Sequence, residues 1–367
     1  MSLSSPPPDI NGLAAALLRD LAAVQASPHS AWGYKRAAAA LLQLDEPVES
    51  RLQADGTLRK IPHVGPSSTR VILEVIETGG SPTVEQAVAG SPNRRDVERR
   101  RGLRRAFLSR AQVVAILNDP RLTGPSVADY RGDFQMHSVW SDGSQTLADI
   151  VEEGIRRGYP YSAITDHSHG LAIANGLSME DLAKQHAEID QLNARYAGSF
   201  RLLKGIEANI RVDGTLDMSR DELALLEIVV AAPHASLRSP LPQTERMLAA
   251  VRTPGVHILG HPRGRMYGSR PGVSADWPAV FAAAAESGVA VEIDGDPSRQ
   301  DIDYQLAAQA VESGCLFALD SDAHGRRDWT FVETAIAHAR LAGVPTDRII
   351  NTWPLERLLT WAASRGA

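Results

Sequence analysis

Residues 133–143 read DFQMHSVWSDG, a strand-like run that carries Gln135, His137 and Asp142. The same combination recurs down the chain, a short apolar run followed by a side chain able to bind a metal. His167 follows in AITDHS, Glu207 in LLKGIEANI, His234 in IVVAAPH, His261 in VHILGHP, and Asp322 and His324 in LFALDSDAH. Short apolar runs read as buried strands, and the segments between them as helices. Strands are expected near 133–138, 160–165, 202–208, 228–233, 256–260, 289–293 and 316–320. Helices are expected near 147–158, 180–197, 221–227, 242–252, 276–287, 301–313, 328–342 and 355–363. Such alternation predicts an α/β fold with a parallel sheet that can close into a barrel. Side chains at successive strand ends then converge on one rim, where such barrels carry chemistry. Histidines and carboxylates gathered there suit divalent cations such as zinc or manganese.

A single strand-end histidine is more often structural than catalytic. Five of them, with acids at matching offsets, argue for a site. His29, His186, His257 and His338 fit no site and read as surface or packing residues, and His169 as facing solvent. Asp166 and Asp320 neighbour the proposed ligands, and either orient a histidine or cap the next helix. Glu292 and Asp294 stay off the ligand set.

The chain of 367 residues is 43% hydrophobic and 22% charged, ordinary for a soluble globular protein of two domains. No apolar stretch is long enough to span a membrane. The start, MSLSSPPPDI, lacks the basic and apolar regions of a secretory signal, so a cytoplasmic protein is expected. Cys315, the only cysteine, lies in an apolar run and reads as a buried, inert thiol. The net charge of −6 is unevenly spread, +4 over residues 1–127 and −10 over the remainder. A basic part on an acidic part points to a nucleic-acid-facing module beside a metal-binding one.

The boundaries read as a flexible tail (1–9), a helical domain (10–90), an Arg-rich helical linker (91–130) and the metal-binding domain (131–367). In the helical domain, amphipathic helices are expected at 10–24 and 31–43. A short helix, a tight turn at His63-Val64-Gly65, a second helix and a Gly79-Gly80 stop follow. Residues 91–110 hold eight arginines against two acids, a phosphate-tracking segment or a solvated helix face.

In its motifs, the C-terminal part (about 130–363) resembles the PHP (polymerase and histidinol phosphatase) family. The opening D-h-x-x-H-x-x-x-S-D-G, then T-D-H, G-x-E, a strand-end His, G-H-P and S-D-A-H occur in family order. The resemblance implies a distorted (β/α)7 barrel with two or three divalent metals, Zn2+ or Mn2+. It implies Gln135, His137, Glu207 and Asp322 on the first metal and Glu207, His234 and His261 on the second. Asp142, His167 and His324 are implied on the third. Gln135 stands where the family has a histidine, and its amide is a weak ligand for such metals. A metal-bound water is the expected nucleophile. Arg263 and Arg265, beside His261, are candidates for binding the substrate phosphate.

Residues 10–90 resemble the small N-terminal domain of X-family DNA polymerases. The matching residues are Tyr34-Lys35-Arg36-Ala37-Ala38, Ile61-Pro62-His63-Val64-Gly65 and Glu77-Thr78-Gly79. This implies a helix-hairpin-helix that meets DNA phosphates without regard to sequence. His63, Val64, Gly65, Arg99, Arg100 and Arg104 are the candidate DNA-binding residues. Val71 stands where lyase-active members have lysine, and residues 91–130 hold no D-x-D pair, so neither lyase nor polymerase activity is expected. The expected function is metal-dependent phosphoester hydrolysis on DNA ends or lesions in repair. Alternatives are a small-molecule phosphatase of the histidinol-phosphatase type, and a DNA-binding scaffold with a degraded metal site. An amidohydrolase fits less well, for want of a strand-end lysine.

Overall fold

The computed structural model describes residues 6–365. The described residues divide into two compact units, one containing Arg121–Met266 and 270–365, the other 6–120 with Tyr267–Ser269. No helix among the described residues is long and apolar enough to cross a membrane.

The N-terminal unit is helical: α1 (Ile10–Ala23), α2 (Pro28–Leu42), α3 (Pro66–Thr78), α4 (Pro82–Ala89), α5 (Arg94–Leu103) and α6 (Arg110–Leu117). Serine and proline mark the starts. The Ser27, Ser81 and Ser109 side chains cap α2, α4 and α6, and proline opens α2, α3 and α4. The helices bury Leu18, Leu41, Val71, Ile72, Val75, Val84 and Val97 in one core.

Three expectations change here. Residues 1–5 of the expected tail lie outside the described residues, but Pro7 and Asp9 are tied down. The Pro7 carbonyl accepts from Gln112, and the Asp9 carboxylate from Gly12 N–H and Ser109. The short helix expected before the 63–65 turn is a hairpin instead. Around Asp55-Gly56, Gln53 N–H donates to Thr57 O at 2.8 Å and Arg59 N–H to Arg51 O at 2.9 Å. Pro62 disfavours helical backbone at Ile61, the residue before it. Finally, α5 of the expected linker is packed into this unit through Val97, and Arg101 and Arg104 both pair with the buried Asp20.

The C-terminal unit is built on six parallel strands in sequential order. They are β1 (Tyr161–Ile164), β2 (Arg201–Asn209), β3 (Ile228–Ala232), β4 (Ile258–Leu259), β5 (Ala290–Asp294) and β6 (Leu316–Asp320). Around them run α7 (Leu147–Arg156), α8 (Met179–Arg195), α9 (Arg220–Leu223), α10 (Thr244–Arg252), α11 (Trp277–Ser287), α12 (Tyr304–Glu312), α13 (Val332–Ala342) and α14 (Leu355–Arg365). Alternate strand residues Tyr161, Ala163, Leu203, Ile228, Val230, Ile258, Ala290 and Ala318 share one cluster with Phe134, Ile350, Trp353 and Leu358. This is the inward face of a curled sheet.

The first expected strand, 133–138, is not regular, yet it bridges the two edges of the sheet. Ala163 N–H donates to Asp133 O and Thr165 N–H to Met136 O, both at 2.9 Å, while His137 N–H donates to Ala323 O at 2.9 Å. The amides before His137 are taken by side chains. Phe134 N–H donates to Asp320 Oδ1, Gln135 N–H to Asp133 Oδ1 and Met136 N–H to Thr165 Oγ1. A ladder loses its donors, and the α/β barrel is closed by a distorted seventh segment. Cys315 is buried, which pushes its thiol up to about 12.

Two histidines serve this framework as neutral rings. His257 Nδ1 accepts from Val229 N–H at 3.0 Å, and its Nε2 faces Ala362 O at 3.1 Å. His338 Nδ1 accepts from Tyr304 N–H at 3.0 Å, and its Nε2 faces Gln300 Oε1 at 2.8 Å. Burial pushes His257 down to about 4 and His338 to about 3. Below about pH 6.5 the unfolded chain takes up these protons and the folded chain does not, so acid removes stability, by roughly 1.4 kcal/mol per pH unit for each ring. The contribution is complete above about pH 6.5 and is lost towards the folded-state values. His338→Gln lacks this proton uptake, so its urea midpoint is expected to fall less between pH 6.5 and 4 than the parent's. Parallel pH profiles would contradict the neutral assignment.

Candidate metal centre

Each candidate ligand leaves the C-terminal end of a strand or the closing segment. His137 ends that segment, His167 follows β1 and Glu207 lies within β2. His234, His261 and the Asp322–His324 pair follow β3, β4 and β6. Parallel strands point these ends the same way, so residues far apart in the chain meet. Two of them have left-handed backbone, His261 at φ 20° and Asp322 at φ 52°, an arrangement the surrounding structure must hold in place.

Glu207 is the centre. Its Oε1 lies 3.1 Å from His234 Nε2 and 2.9 Å from His261 Nε2. Its Oε2 lies 3.0 Å from His167 Nδ1 and 3.4 Å from His137 Nε2. Asp142 Oδ1 lies 3.6 Å from His167 Nε2, 3.5 Å from His324 Nε2 and 3.9 Å from His137 Nδ1. His137 is sandwiched between the His167 and His324 rings, at centroid separations of 4.4 and 4.3 Å. Asp322 Oδ1 stands 3.2 Å from His137 Nε2.

Two groups bring their ligand atoms within 4.8 Å of one another: His137, Asp142, His167 and His324, and His167, Glu207 and His234. His261 joins the second through Glu207. All eight His, Asp and Glu positions named from the sequence therefore gather in one place. His137 faces both ways, its Nε2 against Glu207 and Asp322 as the resemblance implied and its Nδ1 against Asp142, and His167 is shared between the two groups. Gln135 is buried nearby, and its Oε1 accepts from Thr165 Oγ1 at 2.9 Å.

The electrostatics suit cations. Burial alone would keep Glu207 protonated, but His167 and His234 hold its carboxyl well below the usual range. Burial likewise opposes ionisation of Asp322, and the Arg299 guanidinium and His137 overcome it. Burial disfavours a charged His324, yet Asp142 and Asp322 lift it to about 9. His137 Nδ1, His234 Nε2, His261 Nδ1 and Glu207 Oε2 are buried and make no hydrogen bond. Buried polar atoms without partners are costly, and divalent ions shared among them would supply the missing partner. The donor set of imidazoles and carboxylates fits zinc or manganese.

A surrounding layer orients these ligands. Asp217 accepts from Ser168 Oγ at 2.6 Å, Gly170 N–H at 3.0 Å and Asn209 Nδ2 at 2.7 Å. That fixes the Asn209 amide, whose Oδ1 accepts from His234 Nδ1 at 2.5 Å and turns Nε2 towards Glu207. Asp166 accepts from Ser138 N–H, Ser138 Oγ, Ser141 Oγ and Gln185, pinning the loop that carries His137 and Asp142. Glu292 accepts from His261 N–H. The sequence reading missed Asn209, Asp217 and Arg299. Asn209 had a signal, since it sits two residues after Glu207 on the same face of β2.

The arginine expectations need correcting. Arg265 is buried and donates to Asp303 and to the Arg299 and Gln300 carbonyls. Arg263 also turns to Asp303, at 2.9 Å. Both hold a loop in place. In the N-terminal unit Arg104 is buried against Asp20, so it is not a free phosphate contact. Arg99 and Arg100 are exposed but both pair with Asp96 at 2.6 Å. His63 has φ 65°, Val64 is half-buried against the core, and Gly65 is the N-cap of α3.

Asn209→Leu removes the acceptor that sets the His234 ring. It is expected to weaken binding of Zn2+ by about 10- to 100-fold without unfolding the protein. Titration of chelator-stripped protein against a competing metal indicator measures this, and unchanged affinity would contradict the orienting role.

No protein-family model matches the chain. Over 227 residues, 62% of this chain, it is 37% identical to "DNA polymerase/3'-5' exonuclease PolX" of Bacillus subtilis (strain 168), and the match spans 40% of that protein. Over 250 residues, 65% of this chain and 96% of the relative, it is 31% identical to "Probable phosphatase YcdX" of Escherichia coli (strain K12). A solved histidinol phosphate phosphatase from Lactococcus lactis subsp. lactis Il1403, complexed with zinc, L-histidinol and phosphate, aligns with a TM-score of 0.43 at 18% identity, covering 58% of this chain and 94% of that one. These relatives bear the names of hydrolases that act on ester bonds. With nearly the whole of a relative matched at 31% identity, and the ligand motifs gathered at one barrel rim, the chain belongs to the PHP family of phosphoester hydrolases.

Proposed function

We propose that the protein is a metal-dependent phosphoester hydrolase acting on DNA ends or lesions, with its metals held by His137, Asp142, His167, Glu207, His234, His261 and His324. The observation that carries this reading is the convergence of His137, His167, His234 and His261 on the buried Glu207 carboxylate, with Asp142 and His324 beside them. Divalent ions bound there would polarise a phosphate ester and make water a competent nucleophile near neutral pH. The chain's own residues prepare the place. Glu207 is kept ionised, Asn209 aims His234, and Asp166 fixes the loop bearing Asp142. That side chain is 31% exposed and forms the solvent side of the site.

The DNA reading is supported by the name of the PolX relative and by one exposed pair in the N-terminal unit. Trp32 is 55% exposed, and the Arg36 guanidinium lies 4.5 Å from the centre of its ring. An exposed ring beside a cation suits a base and its phosphate. The ion pairing of Arg99, Arg100, Arg101 and Arg104 favours a second reading, a phosphatase of small phosphorylated metabolites.

His234→Ala and Asp142→Ala are each expected to lower kcat/KM on a 3'-phosphorylated oligonucleotide and on p-nitrophenyl phosphate by on the order of 10³-fold. Full turnover in both folded variants would remove the metal-centre mechanism. Binding to single-stranded DNA separates the two substrate classes. The DNA reading expects log Kd to rise with log salt by about 0.7 for each phosphate contacted. A flat salt dependence with efficient hydrolysis of small phosphate esters supports the metabolite phosphatase instead.

A further inference from the structure

We infer that Arg299 takes the place of one metal ion, so that this chain holds two divalent ions and uses a fixed guanidinium where the family resemblance implies the first metal. The inference rests on the reading of the cluster as a metal centre.

Two observations carry it, at Gln135 and at Asp322. Gln135 brings an amide to the position expected to hold an imidazole, and its oxygen is engaged by the Thr165 hydroxyl. His137, the next implied ligand, stays in place, with Nε2 3.2 Å from Asp322 Oδ1 and 3.4 Å from Glu207 Oε2, but its ring also groups with Asp142, His167 and His324. Asp322, the last, has a cation beside it already: Arg299 Nη2 lies 3.1 Å from Asp322 Oδ2. The same guanidinium has Asp294 and Asp296 at 3.9 Å, and its charge also acts on Glu207 and His261.

The chemistry favours one cation at Asp322. A guanidinium keeps its proton at any working pH and cannot yield its charge to make room. A zinc ion would have to approach a carboxylate oxygen to about 2.1 Å, directly beside that charge. With an amide at Gln135 in place of an imidazole, the donor set is weaker against that repulsion.

The loop is built to hold the arginine there. Arg265 donates to the Arg299 carbonyl at 2.9 Å and to the Gln300 carbonyl at 2.7 Å. Asp301 Oδ2 accepts the Arg263 and Gly264 amides at 2.9 and 2.7 Å. This gives Arg263 and Arg265 a role in the site, bracing the segment that delivers Arg299. The Arg299 side chain is 21% exposed, so its remaining N–H groups can meet a phosphate oxygen.

The test counts metal rather than turnover. Full-length protein is stripped with chelator, incubated with Zn2+, desalted and analysed for zinc per chain. The parent is expected to hold two equivalents. Gln135→His alone should stay at two, because the guanidinium remains. The Gln135→His/Arg299→Met double variant should hold three, and Gln135→His/Arg299→Lys, which keeps a cation, should return to two. Three equivalents in the parent would overturn the inference and leave the metal-centre reading intact. So would two in a double variant that retains the parent's circular dichroism. Less than one equivalent in the parent would overturn the metal-centre reading, and this inference with it.

Discussion

The carboxylate of Glu207 is the interaction on which the site depends. It is buried, it stays ionised, and its two oxygens meet four imidazoles from four places in the chain. A buried charge is tolerated only when it is compensated from close range. The histidines are that compensation, and bound cations would extend it. The rest of the barrel rim can be understood as what keeps four rings facing one acid.

Much of that support comes from other carboxylates that bind backbone rather than metal. Asp166 gathers the 138–141 loop, Asp217 fixes Asn209 and hence His234, and Glu292 takes the His261 amide. Asp133 and Asp320 take the amides of the closing segment. The regularity of the seventh strand is thus given up to side chains that aim His137 correctly. Acids that look like ligands in the sequence divide into those that face the centre and those that face amides.

The arginines divide in the same way. Arg263 and Arg265 follow His261 closely in the chain but turn to Asp303 and the loop carbonyls. Arg299, remote from every motif, faces Asp322. In the N-terminal unit, Arg101 and Arg104 neutralise a buried aspartate instead of standing free. A guanidinium has a long reach and five donors, so sequence position says little about its partner.

The sequence by itself determined the alternation of strands and helices, the glycine stop of α3 at Gly79, and the eight His, Asp and Glu positions that gather at the rim. Those are local features: apolar periodicity, capping chemistry, and a polar residue directly after a strand. Only the tertiary structure decided that His137 groups with Asp142, that Gln135 serves Thr165, and that Arg299 rather than Arg263 or Arg265 enters the centre. It also decided that residues 133–138 close the barrel without a regular ladder. Each of these depends on which group comes within about 3 Å of another across long stretches of chain, the range in which a hydrogen bond is made or lost. No local pattern carries that distance.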